Sequence, residues 1–167
     1  MHMYMQHAHP LGQRARNVRL MCRGLKVSAV AAVALDGFVS VQCSMQSVNE
    51  DVFCDFLERH LLPHLLPFNG VNPRSVVVLD NVSIHHTQRA IELIQSVGAL
   101  VHFLPPYSPD LNPIEELFSK VKACLRENDA AIQEIDQRGL TDFVEAAFST
   151  VTEDDIFGWF RHAGYVQ

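Results

Sequence analysis

From Leu25 to Leu35 the chain is apolar and partly β-branched, Asp36-Gly37 is a tight-turn pair, and Phe38 to Met45 alternates apolar with polar residues. This pattern predicts two antiparallel strands joined as a hairpin, although the alanines of the first run also admit a helix. Asn49 then stands ahead of Glu50 and Asp51, with Phe53, Phe56, Leu57 and Leu61 at helical spacing. A capped helix with one buried stripe follows, ended by Pro63 and Pro67. Ser75 to Leu79 is a continuous β-branched run, the pattern of a strand covered on both faces. Thr87 to Val97 reads as a helix with Ala90, Ile91, Ile94 and Val97 inward and Gly98 as its stop. Ala99 to Leu104 is another short strand, and a helix starts at Pro113 with Ile114, Leu117, Phe118, Val121 and Leu125 as its stripe. Lys120, Lys122 and Arg126 fall off that stripe. Two further helices are expected, around Thr141 to Thr150 and from Glu153 to His162, the second packing through Ile156, Phe157 and Phe160.

The order hairpin, helix, strand, helix, strand, helix indicates an α/β fold, a mixed sheet flanked by helices with an antiparallel edge on a parallel pair. Ligands of such sheets gather at the carboxyl ends of the strands.

Length and composition add little to that outline: 167 residues with 48% hydrophobic content suit one core. Residues 1–13, with Pro10 and Gly12 and no periodicity, read as a disordered leader, and 14–167 as the domain. Charge is more informative. The net value is −6, yet residues 1–35 carry Arg14, Arg16, Arg19, Arg23 and Lys26 with no acid, which makes them +5 and the remainder −11. Those arginines could contact DNA phosphates, or could simply solvate a strand edge. Cys22, Cys43, Cys54 and Cys124 show neither zinc nor disulfide spacing, which favours a reducing compartment. The apolar run Val27 to Leu35 is too short to span a bilayer and starts too late for a signal peptide.

Two acids stand out by position. Asp80 closes the buried strand, and Glu115 lies in the first turn of the helix after the next strand, so both project toward one sheet edge. Paired carboxylates there make half of a site for hard cations such as Mg²⁺ or Mn²⁺. Each acid also has a structural reading. Asp80-Asn81 suits a turn or a helix cap, and Asn112-Pro113-Ile114-Glu115 is a variant capping box.

The segments DNVSIHH at 80–86 and LPPYSPDLNPIEELFSKVK at 104–122 resemble the mariner-type Asp-Asp-Glu (DDE) transposases, whose catalytic domain is similar to ribonuclease H. In that family the second catalytic Asp opens a DNxxxH motif and the catalytic Glu is the first acid after NPI. The resemblance therefore implies Asp80 and Glu115 as metal-binding catalytic residues, with 34 residues between them. Asn81 and His85 match the same motif and are expected to support the acids or lie near DNA, although His85 could equally be a core histidine. Lys120 and Lys122 join the arginines as expected phosphate contacts.

The resemblance implies a DNA endonuclease or transposase activity with Mg²⁺ or Mn²⁺ as cofactor and DNA as partner. It allows a homo-oligomer and implies a location in the nucleus of a eukaryote, otherwise in the cytoplasm. The family also uses a first strand ending in a third acid. No such strand fits before Leu11, and Asp36 sits in the hairpin turn instead. The expectation is thus a ribonuclease-H-like domain incomplete at its N-terminus, truncated or domesticated and inactive alone, with two inner strand edges exposed. The alternatives are a non-catalytic nucleic-acid- or protein-binding module, or a subunit completed by another chain.

Overall fold

The computed structural model describes residues 27–132 and 134–166. Its first elements are the expected hairpin, β1 (Ser28–Ala34) and β2 (Gly37–Ser44), paired antiparallel with a register shift between Ala32 and Val33. Gly37 takes φ +130° at the turn, a conformation that costs a side-chain-bearing residue much more. β1 settles the helix-or-strand ambiguity, and its alternation shows why. Ala29 and Ala31 enter one apolar cluster while Val30 and Ala32 enter another. Both faces of the strand are therefore buried, and small residues let helices approach from each side.

Helix α1 (Glu50–Phe56) starts as the sequence indicates, with the Asn49 side chain accepting a hydrogen bond from the Val52 N–H at 3.0 Å. It continues as a wide π-type turn over Leu57–Leu61 and a tight turn over Leu62–His64. Its stripe, Phe53, Phe56, Leu57 and Leu61, is buried as expected. Full burial of each such side chain contributes about 1.5–3 kcal/mol.

Strand β3 (Val76–Leu79) pairs in parallel with β4 (Leu100–Phe103), and α2 (Gln88–Ser96) makes the crossover between them. Thr87 caps α2, and Gly98 ends it at φ +77°. Then come α3 (Pro113–Glu127), the short α4 (Asp129–Ile132), α5 (Gln137–Phe148) and α6 (Glu153–His162). α5 begins earlier than the apolar spacing suggests because the Asp136 side chain caps it, accepting from the Gly139 N–H at 2.8 Å. In α6, Ile156 and Trp159 are buried while Phe157 is 48% exposed. The expected inward role of Phe157 is thus corrected: adjacent residues on a helix lie about 100° apart, so Phe157 cannot share the face set by Ile156 and Trp159.

The result is a three-layer α/β arrangement. One cluster joins the hairpin to α3, α5 and α6, and the other joins it to α1, α2 and the parallel pair. The hairpin and the parallel pair remain two separate two-stranded sheets. β1 and β3 face a common apolar cleft of about 850 Å³, counted with its open mouth.

Candidate active site at the carboxyl end of the parallel strands

The two parallel strands end side by side. Leu79 pairs with Phe103, and the Leu104 N–H donates to the Leu79 carbonyl at 2.8 Å, which fixes the chain on both sides of Asp80 and of the loop leading to Glu115. That loop runs over residues 105–112. It holds Tyr107 at φ +58° and 93% exposed, then turns through Pro109–Leu111 to the buried Asn112. Asn112 makes no side-chain cap to α3, so the capping-box reading of this segment is not realised.

Asp80 is tightly held. His85, fully buried on a short 3-10 turn over Ser83–His86, brings Nδ1 to 2.6 Å from Asp80 Oδ1. The Val82 N–H donates to the same oxygen at 3.3 Å. Both contacts fall on Oδ1. Burial pushes the Asp80 carboxyl up, but the hydrogen bond and charge of His85, with the Val82 N–H, hold it below the usual carboxylate range. Burial conversely lowers the His85 pKa, against the upward pull of the Asp80 hydrogen bond and charge. Phe53 braces the ring, with centroids 4.4 Å apart.

Glu115 is different. Crowding by protein raises its pKa, the Lys122 charge opposes the rise, and the Asp80 charge adds to it. The Asp80 charge thus adds to the effect of burial in disfavouring the charged form of Glu115. Lys122 lies two helical turns from Glu115 along α3. Its own pKa is lowered by burial, raised by Glu115 and lowered by Arg126, so a basic line leads away from the two acids.

The remaining expected site residues are dispersed. Asn81 is exposed beside Asp80, with Oδ1 2.5 Å from His86 Nε2, and His86 stacks on Phe103 at 4.0 Å. That stack was not anticipated, although the doubled histidine at 85–86 was its signal. Lys120 points elsewhere: it is ion-paired with Asp155 of α6. Glu116 also turns toward α6, with Oε1 2.5 Å from His162 Nδ1. Arg14, Arg16, Arg19, Arg23 and the leader 1–13 lie outside the described residues. Among the described residues no group of three or more His, Cys, Asp or Glu side chains converges to hold a metal, and no helix is long and apolar enough to cross a membrane.

The α/β arrangement is ribonuclease-H-like, with Asp80 just past β3 and Glu115 in the first turn of α3. The chain belongs to the DDE superfamily endonucleases, whose family profile matches residues 4–137 and takes in both acids. No curated protein matches it.

Proposed function

We propose that this chain is the core of a mariner-type DDE endonuclease, related to DNA strand cleavage and transfer, in which Asp80 and Glu115 are two of the acids of a divalent-metal site. The observation that carries this reading is the family match over residues 4–137 together with the positions of Asp80 just past β3 and Glu115 in the first turn of α3; burial and the Asp80 charge both raise the Glu115 carboxyl, in keeping with it. An acid whose charged form is disfavoured by burial and by a second acid is stabilised by a cation between them. Mg²⁺ or Mn²⁺ fits the all-oxygen donor pair, and when bound supplies charge stabilisation at the attacking and leaving oxygens of a phosphodiester.

The residues divide the work. His85 keeps Asp80 ionised and oriented through Oδ1, which leaves Oδ2 to face a ligand. Glu115, on the rigid first turn of α3, supplies the second carboxylate. Lys122 and Arg126 continue along the same helix, placed to meet DNA phosphates. DNA is accordingly the proposed partner, and the compartment that holds it the proposed place of action.

Two acids hold a metal pair poorly. On this reading a metal pair held by Asp80 and Glu115 alone supports no cutting by the purified 167-residue chain, and a third carboxylate would be needed for full activity. The test is plasmid nicking in Mg²⁺ and in Mn²⁺. The expected outcome is no nicking by the purified chain together with salt-dependent duplex binding. Robust nicking that Asp80→Asn abolishes would refute the inactivity, and loss of all duplex binding would remove DNA as the partner.

A further inference from the structure

The loop between β4 and Glu115 is stiff and presents one ring outward. Pro105 and Pro106 fix two successive backbone angles, and the Ser108 hydroxyl donates to the Pro106 carbonyl at 3.4 Å. Beyond them the Leu111 N–H donates to the Ser108 carbonyl and the Asn112 N–H to the Pro109 carbonyl, at 3.2 and 2.9 Å. The Tyr165 hydroxyl, from just past α6, donates to the Leu111 carbonyl at 2.9 Å. Within this frame Tyr107 holds φ +58°, a left-handed backbone unfavourable for a large side chain, and its ring stands almost wholly in solvent. The ring adds next to nothing to the core while its backbone costs stability. Strain kept where packing gains nothing from it points to a group held ready for a ligand. A second π surface stands at the same strand ends. His86 stacks on Phe103, the last residue of β4, and remains exposed, with Nε2 held 2.5 Å from Asn81 Oδ1.

Exposed flat rings stack on nucleobases of any sequence once the bases are out of their pairs. We propose that Tyr107, seconded by His86, is a stacking site for unpaired nucleobases, so that Asp80 and Glu115 meet a DNA strand whose bases are already opened. A ring fixed in place by its loop loses little freedom when a base lands on it. The inference rests on DNA as the partner under the proposed function. Nucleic acid is favoured over a protein ligand by position: the two rings stand on the segments that follow β3 and β4, which carry Asp80 and lead to Glu115.

The experiment measures binding of the whole chain, in EDTA so that no metal is needed, to a blunt duplex and to the same duplex with a short single-stranded extension carrying 2-aminopurine. The extended DNA is expected to bind more tightly, with its 2-aminopurine fluorescence quenched. Tyr107→Ala should lose about tenfold in affinity for the extended DNA, together with the quenching, and keep its affinity for the blunt duplex. Tyr107→Gly suits the left-handed backbone, so it should raise the melting temperature and show the same loss. Tyr107→Phe should retain binding, His86→Ala should lose a smaller factor, and Phe157→Ala, an exposed aromatic on α6, should change neither affinity. Unaltered binding and quenching in Tyr107→Ala, or equal weakening on both DNAs, overturns the stacking site and leaves DNA as the partner. Failure of the unmodified chain to bind either DNA overturns both readings. A change in self-association in Tyr107→Ala, with DNA affinities intact, also overturns the proposal, since the ring then serves a protein contact.

Discussion

His85 Nδ1 lies 2.6 Å from Asp80 Oδ1, and His85 is wholly buried while the Asp80 side chain is 24% exposed. The histidine is thus a buried strut for an acid that still reaches solvent. His85→Ala removes the strut, opens space against Phe53 and leaves the Asp80 oxygen without its donor. A loss of about 2–4 kcal/mol is expected in urea unfolding. The Asp80 carboxyl pKa should also rise toward its ordinary value, read from its side-chain carbon shift by NMR.

The same pair sets a pH dependence. His85 has a folded pKa below its unfolded value of about 6.5, so its contribution is fully present above that pH and is lost as pH falls toward the folded pKa. Asp80, also lowered, contributes above about pH 3.9 and is lost further down. Stability by urea titration should therefore decline from pH 7 to 5. His85→Asn should flatten that decline while leaving the more acidic transition in place.

Lys120 and Lys122 occupy one helix but should behave differently. Lys120 is ion-paired to Asp155, whose carboxyl is lowered to about 2 by Lys120 and by the Thr152 cap of α6. Lys120→Ala should lower the melting temperature and leave duplex affinity unchanged. Lys122→Ala should weaken duplex binding and reduce the slope of log affinity against log salt by about one. Asp155→Ala breaks the Thr152 capping box and should cost about 1 kcal/mol.

Gly98 tests the packing between the end of α2 and the loop before β3. At φ +77° a Cβ there would lie 2.8 Å from the Pro67 Cβ. Gly98→Ala is expected to destabilise by about 1–3 kcal/mol, measured by thermal or urea unfolding.

The sequence made much of this legible, for local reasons. Apolar spacing placed the stripes of α1 and α3 correctly because a helix that packs on a sheet must bury every third or fourth residue. Asn49, Gly98 and Pro113 marked helix ends because each solves a backbone problem that other residues solve poorly. The misses were tertiary. Phe157 is as apolar as Phe160, and only the packing of Trp159 decides which face turns inward. Lys120 looked as available as Lys122 because its partner, Asp155, lies 35 residues away in sequence. At the site, the acids stood out through their flanking motifs. The choice of a strut role for His85 required its burial against Phe53, which no local pattern encodes.

The central claim is that Asp80 and Glu115 share one divalent-cation site. Mn²⁺ titrated into the isotopically labelled chain at neutral pH should selectively broaden NMR resonances around Asp80, Asn81 and Glu115, and the broadening should vanish in both Asp80→Asn and Glu115→Gln. Broadening centred elsewhere, or unchanged in either variant, would contradict the account.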